Sequence, residues 1–510
     1  MSLRPVLPVL RAAAESCSSS RRLAHARIRN YASEAALPES KPSTYGQPLF
    51  QTHPHLLKQD ELTPGIRATE YERRRKHLMD SLPANSVVIS VAAPIKYMSA
   101  NIFYKYRQNS DFWYLTGFEE PDAAVVLEKT STSKGYRMTL FSSGKDSDKE
   151  KWDGARTSFH DATSIFRADE AMSIQDFPSH LKSLTSLYST VYVDLPPHAT
   201  RKGRPAKSLL RYLSPAVGPR SEYESILESL SSARRKSLAP HVSKLRAIKS
   251  EDEQRVMRAA ADISGRAHAK TMRFTRPGIP EAALAAHFEY LCSLSGSQRQ
   301  AYVPVVASGP NALIIHYTYN NQVVHDGEMV LMDAGCEYNG YASDITRTYP
   351  ASGKFTEPQR DLYSAVLSAQ KMLVSMCSES HGLSLYDLHR KSCELLRQEL
   401  RQLGFDLRSG DLERCLYPHF LSHPIGIDLH ESSQVERSSQ LKEGMVITVE
   451  PGIYVPPTPQ FPTHFHNQGI RIEDEVLVGK EHPVVISVSA PKEVVDVEGA
   501  CQGLLGLEPL

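Results

Sequence analysis

Residues 328–348 read EMVLMDAGCEYNGYASDITRT. Both arms of this stretch are apolar or β-branched and its middle is turn-rich, which predicts a β-hairpin. A turn centred on Tyr338 and Asn339 would place the two aspartates, Asp333 and Asp344, directly opposite each other on one face. Two like charges so placed cost about 0.2–1 kcal/mol on an open sheet, and more where water is excluded. A bound cation would remove that cost, so the stretch predicts a metal site.

Two glutamates further along the chain lie in segments of the same kind. Glu450 ends the apolar run MVITVE, which Pro451 and Gly452 stop. Glu473 lies within the strand-like run IRIEDEVLV, whose apolar pattern the acidic cluster interrupts. A buried glutamate needs a compensating partner. Each acid alone is more often a salt-bridged or strand-end residue, whereas four of them together indicate a shared site.

A histidine-rich segment, PHFLSHPIGIDLHE at residues 418–431, supplies a different kind of donor. It contains His419, His423 and His430, and its proline and glycine residues favour a loop or irregular strand over a helix. One imidazole could bind a metal while the others transfer protons, and His316 adds a further candidate. Carboxylates with a single histidine are typical ligands of a hard divalent pair such as Mn²⁺, so the sequence predicts a two-metal hydrolase.

These segments resemble the M24 metallopeptidase family, which includes aminopeptidase P, prolidase and methionine aminopeptidase. The resemblance runs from about Arg67 to Lys492, and its motifs are LMDAGCEYNGYASDITRT, SH, HE, TVEPG and IRIED. It implies a C-terminal pita-bread domain, in which two related α/β halves close over a curved antiparallel sheet, beside a smaller α/β creatinase-like N-terminal domain. The fold class expected is therefore α+β.

The resemblance also implies a role for each of the five metal-ligand candidates, which match the family in type and order. Asp333 would bind one metal, His423 and Glu450 would bind the other, and Asp344 and Glu473 would bridge the two. Metals about 3.5–4 Å apart would activate a shared water molecule and stabilise the developing oxyanion. The cofactor expected is thus a pair of divalent ions, with Mn²⁺ favoured.

Further roles follow from the same resemblance. Glu450 would act as the general base, and His430 and His316 would steady the tetrahedral intermediate or pass a proton to the leaving amine. His419 and Arg471 would position the substrate. The sequence departs from the family pattern at two neighbours of these histidines: Phe420 stands where many relatives have glycine, and Pro424 where bulky residues are common. Both departures touch the substrate wall, which leaves selectivity for proline open.

The composition of the N-terminal residues predicts import into mitochondria. Residues 1–33 contain one acid, no lysine and six arginines, at positions 4, 11, 21, 22, 27 and 29. This composition is typical of a mitochondrial transit peptide. A basic tail for anionic lipid or nucleic acid is the alternative, but 59 basic and 58 acidic residues leave a net charge of only +1, so no nucleic acid partner is expected. We expect location in the matrix, with association at the inner membrane open.

The expected cleavage point indicates a substrate. Arg29-Asn-Tyr31-Ala resembles presequences that the matrix processing peptidase cuts two residues after an arginine, after which a second peptidase of this same family removes the exposed aromatic residue. Removal of a single Tyr, Leu or Phe from imported proteins is therefore the favoured function. Two alternatives stay open: an Xaa-Pro aminopeptidase or prolidase acting on free peptides, and a metal-free pita-bread binding module.

The 510 residues, 41% of them hydrophobic, are enough for more than one domain. The predicted divisions are a presequence at 1–31, a linker or extended arm at 32–66, an N-terminal domain at 67–237 and the catalytic domain at 238–500. No apolar run reaches the roughly 20 residues that span a bilayer, so any membrane contact would be peripheral. Seven cysteines without CxxC pairs favour a reducing compartment. A homodimer is compatible with the family resemblance.

Overall fold

The computed structural model describes residues 43–194, 222–432 and 434–505. The predicted presequence at 1–31 and the first part of the predicted arm lie outside these described residues. Helices and strands alternate through the described parts, which confirms the α+β class. No helix in these parts is long and apolar enough to cross a membrane.

The N-terminal half contains short strands and seven helices among the described residues. Its strands are β1 (Glu61–Thr63), β2 (Ile66–Arg67), β3 (Ser86–Val91), β4 (Tyr97–Ser99), β5 (Ile102–Phe103), β6 (Ala124–Lys129), β7 (Tyr136–Ser142), β8 (Glu170–Ser173), β9 (Thr190–Val193) and β10 (Arg235–Ser237). Its helices are α1 (Ala68–Ser81), α2 (Ser110–Thr116), α3 (Ser147–Asp153), α4 (Phe159–Phe166), α5 (Phe177–Leu187), α6 (Glu222–Ser229) and α7 (Ala239–Ala247).

A six-stranded mixed sheet forms the centre of this half, in the order β10-β9-β3-β6-β7-β8. Strand β3 pairs antiparallel with β6 and parallel with β9. Its side chains alternate between two hydrophobic clusters, with Val87 and Ile89 in one and Val88 in the other. Because both faces are covered, the strand is a nearly continuous apolar run.

Helix α2 carries a run of aromatic residues, Phe112, Trp113 and Tyr114. The Asn109 side chain accepts hydrogen bonds from the backbone amides of Asp111 and Phe112, which caps the helix. Gly117 ends it in the left-handed region at φ 66°. The three aromatic side chains are buried in the core.

The C-terminal half places its strands in several small sheets. These strands are β11 (Arg299–Gln300), β12 (Val305–Ser308), β13 (Met329–Asp333), β14 (Cys336–Tyr338), β15 (Tyr341–Ala342), β16 (Thr346–Pro350), β17 (Val446–Val449), β18 (Gly452–Val455), β19 (Gln468–Arg471), β20 (Asp474–Leu477) and β21 (Val484–Val485). The helices are α8 (Glu251–Phe274), α9 (Glu281–Leu294), α10 (Glu357–Ser375), α11 (Leu385–Gln402) and α12 (Val494–Cys501).

The longest helix of this half, α8, begins at a capping box. Ser250 and Glu253 form it, each side chain accepting a hydrogen bond from the other's backbone amide. Helix α8 buries one face against α9, α12 and β14. This amphipathic helix therefore supports β14, the strand that follows Asp333 in the chain.

The register of the predicted hairpin differs from expectation by two residues. Asp333 pairs with Thr346, and Tyr338 pairs with Tyr341, so Asp344 is not directly opposite Asp333. The turn consists of Asn339 and Gly340, at φ 49° and 83°. Two consecutive positive φ values are what a tight two-residue hairpin turn needs, and an Asn-Gly pair adopts them at little cost. A shift of two keeps both aspartates on the same face.

One hydrophobic cluster spans both halves of the chain. It includes Tyr71 and Trp113 from the N-terminal half and Tyr341 and Ile427 from the C-terminal half. The rings of Trp113 and Tyr341 meet edge to face with centroids 5.8 Å apart. The two halves are therefore packed together directly behind the histidine-rich segment.

Candidate metal centre

The four carboxylates stand where strands end or change partners. Asp333 is the last residue of β13, and Asp344 lies in the short gap between β15 and β16. Glu450 separates β17 from β18, and Glu473 separates β19 from β20. The single strand predicted for residues 470–478 is therefore wrong, because the chain passes there from one ladder to another.

His423 lies in an irregular segment, as predicted, between the two parts of the site. Its backbone amide donates to the Thr448 hydroxyl, and Thr448 N donates to His423 O. The ring Nε2 lies 3.3 Å from Asp344 Oδ2 and 3.7 Å from Glu450 Oε1. One donor atom each from Asp344, His423 and Glu473 lies within 4.8 Å of the others. These three residues already form a cluster of metal-binding dimensions.

Asp333 joins this cluster through Tyr302, a residue that sequence reasoning missed. The Tyr302 hydroxyl lies 2.5 Å from Asp333 Oδ1 and 2.6 Å from Asp344 Oδ1. Tyr302 precedes β12, which pairs with β13, so its proximity comes from sheet pairing. No local motif marks it, and only a prediction of the β12–β13 pairing could have found it.

The carboxylates of the site repel one another unless a cation is bound. Burial, helped by the charges of Asp344, Glu450 and Asp333, raises the pKa of Glu473 well above its ordinary value. Burial also raises the pKa of Glu450 to about 7. The pKa of Asp333 is raised by burial despite the Arg471 charge. A site that cannot hold all its carboxylates ionised is one that positive charge would stabilise.

His423 and Asp344 behave as an ion pair within this set. Burial lowers the pKa of His423, but the hydrogen bond with Asp344 and the charge of Glu450 outweigh it and raise that pKa to about 9. Burial raises the pKa of Asp344, and the same hydrogen bond brings it below its ordinary value. Positive charge is thus favoured beside Asp344 and Glu450.

Arg471 and His419 meet at Tyr454. The Tyr454 hydroxyl lies 2.7 Å from Arg471 Nη1 and 3.0 Å from His419 Nε2. Arg471 Nη2 also donates to Asp333 Oδ2 at 2.7 Å. Burial, followed by the Arg471 charge, lowers the pKa of His419 to about 3, so this imidazole is neutral. Tyr454 is the second residue that the sequence did not reveal.

His430 and His316 border the same cavity on its open side. The rings of His423 and His430 have centroids 4.3 Å apart, and burial lowers the pKa of His430. His316 is exposed at the rim. Every sequence-predicted site residue therefore lines one cavity of about 620 Å³, and His464 and His466 lie outside it.

The cavity has a charged end and an apolar end. The apolar wall is formed by Leu385, Phe420, Leu441, Met445 and Ile447. The charged end offers four carboxylates and one imidazole, which is the donor set that hard divalent ions prefer. The residues present therefore fit a pair of such ions, and none of the five predicted donors is missing.

Comparison with known proteins agrees with this geometry. Residues 255–480 match the family model for metallopeptidase family M24, and residues 71–192 match the aminopeptidase P N-terminal domain. The chain is 39% identical over 462 residues to intermediate cleaving peptidase 55 of Saccharomyces cerevisiae, which covers 90% of this chain and 89% of that protein.

Two further similarities complete the comparison. Xaa-Pro aminopeptidase 3 of Mus musculus is 36% identical over 491 residues, covering 93% of this chain and 94% of that protein. The crystal structure of Icp55 from Saccharomyces cerevisiae, lacking its N-terminal 58 residues, superimposes with a TM-score of 0.77 at 38% identity. It covers 88% of this chain and 100% of that one.

Proposed function

The chain belongs to metallopeptidase family M24, in the group with an aminopeptidase P N-terminal domain, and from this we propose that it removes one N-terminal residue from imported mitochondrial proteins. It is a metal-dependent aminopeptidase with the pita-bread fold. The observation that supports the proposal most is the cavity shared by five metal donors and four further polar side chains. With all the donors present, a metal-free binding module has no support.

We assign the five donors to two divalent ions, most simply Mn²⁺. Asp333 would hold one, His423 and Glu450 the other, and Asp344 and Glu473 would contact both. The chemistry that such ions supply when bound is polarisation of the scissile carbonyl and activation of water. The Tyr302 hydroxyl lies within hydrogen-bond distance of both aspartates and so orients these ligands from outside the donor set.

Glu450 is assigned the role of general base. Its carboxylate is half-buried at the charged end of the cavity, and Thr448 donates to its Oε1 at 3.2 Å. A carboxylate held there can take up a proton from the attacking water and release it in each turnover. His430 and His316, on the open side, would steady the tetrahedral intermediate and pass a proton to the leaving amine.

His419 and Arg471 are assigned to substrate positioning. Both are held by the Tyr454 hydroxyl, and His419 Nδ1 donates to its own neighbour's carbonyl, Phe420 O, at 2.9 Å. The Nδ1 of the neutral His419 ring therefore carries the proton, and Nε2 accepts from the Tyr454 hydroxyl, which fixes the tautomer and the orientation of the ring. Arg471 adds a fixed positive charge beside the donor set.

The apolar end of the cavity supports a Tyr, Leu or Phe side chain as the residue removed. Phe420 and Met445 line that end of the cavity. The sequence Arg29-Asn-Tyr31-Ala carries a matching aromatic residue at the expected cleavage point. The relative from Saccharomyces cerevisiae is named an intermediate cleaving peptidase, and the relative from Mus musculus an Xaa-Pro aminopeptidase. Cleavage of Xaa-Pro bonds in free peptides is therefore the second candidate.

Matched peptides distinguish the two candidates. We would assay Mn²⁺-loaded protein on peptides that begin Tyr-Ala-Ser and Tyr-Pro-Ser and follow release of tyrosine by mass spectrometry. Release from Tyr-Ala-Ser, abolished by a chelator and restored by Mn²⁺, is expected. Cleavage of the Tyr-Pro bond alone would overturn the processing function and leave the second candidate. N-terminal sequencing of mitochondrial proteins from cells lacking the enzyme should then show one extra residue.

A mitochondrial location follows the same reasoning, and we place the protein in the matrix, where processed presequences appear.

We also propose a homodimer. The β4–β5 hairpin exposes more than half of the surface of each of five large side chains: Tyr97, Met98, Ile102, Phe103 and Tyr104. An isolated two-stranded hairpin is marginal in water and gains stability when such a face is covered. Light scattering of wild type and Phe103→Glu would test this, and an unchanged mass would reject the hairpin as the contact.

A further inference from the structure

Arg246, at the end of α7, is buried among three carboxylates. Only 6% of it is exposed. Its guanidinium lies 2.6 Å from both carboxylate oxygens of Glu431, through Nε and Nη2. Nη2 also donates to Asp428 at 2.6 Å, and Nη1 donates to Asp111 at 2.6 Å. All three guanidinium nitrogens of Arg246 therefore donate to carboxylates, a geometry that lysine cannot reproduce.

Two of these carboxylates lie on either side of His430. Glu431 follows the histidine directly, and its side chain also accepts a hydrogen bond from Asp428 N at 2.9 Å. Glu431 N donates to Pro424 O at 2.9 Å, which closes the segment onto the residue next to His423. The distance between the His423 and His430 rings is thus set by a closed loop whose carboxylates are held by Arg246.

The third carboxylate comes from the N-terminal half of the chain. Asp111 lies in α2, and its neighbour Ser110 donates to Asp428 at 2.6 Å. Arg107 donates to Ile427 O at 2.7 Å from the same side. The N-terminal domain therefore contacts the histidine loop directly, through side chains just before and at the start of α2.

Charge makes this arrangement depend on Arg246. All three carboxylates contact the same guanidinium, and without it they would repel one another. Water could not relieve this repulsion at Glu431, because only 2% of Glu431 is exposed. The nearby cation Lys249 is 3% exposed, and burial lowers its pKa. The Nζ of Lys249 has no hydrogen-bond partner among the described residues, so it does not replace the hydrogen bonds of the Arg246 guanidinium.

We propose that Arg246 is a positioning residue that holds His430 over the metal donors. Through Asp111, turnover then depends on the packing of the N-terminal domain against the segment that carries His430. The proposal rests on the function proposed above, in which His430 acts on the intermediate. Arg246 touches neither substrate nor metal in this scheme, and acts only through Asp428 and Glu431.

The test uses Asp111→Asn and Arg246→Lys, with Asp252→Asn as the matched control. Asp252 accepts from Arg67 Nε at 3.0 Å, so it also joins the two halves of the chain, but away from the histidine loop. We expect Asp111→Asn and Arg246→Lys to lower kcat on the order of 10- to 100-fold at unchanged KM and metal content. Asp252→Asn should change the unfolding temperature and leave kcat unchanged.

A double-mutant cycle with His430→Ala separates positioning from a general structural role. If Asp111 acts through His430, Asp111→Asn should have little further effect on kcat in the His430→Ala background. An equal loss in both backgrounds, or a loss no larger than in Asp252→Asn, would overturn the proposal while the wild type remains an active aminopeptidase. A wild type that cleaves no peptide would instead overturn the proposed function, and this inference with it.

Discussion

Glu450 lies opposite Glu473 at the point where one antiparallel ladder ends and the next begins. Val449 pairs with Asp474 on one side of this point and Gly452 with Arg471 on the other, and the same register relates the two glutamates. Ile472 N donates to Pro451 O across the gap at 3.3 Å. The interruption of the ladders thus leaves the half-buried Glu450 carboxylate facing the buried Glu473 carboxylate, which is an arrangement that divalent cations favour.

Glu450→Gln should abolish turnover without unfolding the protein. The amide keeps the shape of the side chain and can still accept from Thr448, but it cannot take up a proton. A loss of kcat on the order of 10²- to 10⁴-fold is expected, measured on the Tyr-Ala-Ser peptide. Circular dichroism would serve as the control for folding. Retained activity would remove Glu450 from the role of base.

Chelated protein should become less stable as the pH rises from about 5 to 8. Glu450 has a folded-state pKa of about 7 against an ordinary value of 4.5, so the folded state binds more protons than the unfolded state between these values. Stability therefore falls as pH rises through this window. His423, with its pKa raised to about 9, acts in the same direction. Thermal unfolding in a chelator at several pH values measures the slope.

Added Mn²⁺ should remove or reverse that slope. Metal binding requires deprotonated carboxylates and a neutral imidazole, so it strengthens with pH over the same range. A slope that is identical with and without Mn²⁺ would mean that these groups do not bind the ion.

Tyr302→Phe should weaken metal binding by about 10- to 100-fold, because the two aspartates lose their common donor. Metal affinity would be measured by titration of the chelated protein. Tyr363→Phe is the control, since it removes a buried hydroxyl that donates to Lys492 O at 2.7 Å and to none of the five donors. Equal affinities in the two variants would show that Tyr302 does not orient the ligands.

Gly335→Ala should displace the chain that carries Asp344. A Cβ atom at this position would lie 1.8 Å from Ser343 O, in the neighbouring strand. We expect a loss of roughly 1–3 kcal/mol in the free energy of unfolding, with reduced metal content. Gly499→Ala is the control, because its Cβ would meet only the Leu505 side chain, at 3.2 Å. Chemical denaturation of both variants checks the difference.

The sequence was sufficient for the helices and for the residue types of the site. Periodicity and capping signals such as Ser250 and Glu253 act locally, so they can be read without the fold. The register error had a local origin too: the turn is Asn339-Gly340, and centring it one residue earlier moved Asp344 opposite Asp333. Turn residues with positive φ are the better guide to register than the midpoint between apolar arms.

The parts that could not be predicted depend on contacts between distant segments. Tyr302 reaches the aspartates only because β12 pairs with β13, and Tyr454 joins His419 to Arg471 across two strands. Arg246 gave no signal, since an isolated arginine near a helix end is usually solvent-exposed. Its role follows from three carboxylates that come together only in the folded chain.

The donors at Asp333, His423 and Glu473 come from segments that meet only after the C-terminal half has assembled. None of the ladder breaks that carry them exists in an extended chain. A polypeptide threaded through a membrane would therefore be catalytically silent in transit. Its activity would begin only once those segments had come together.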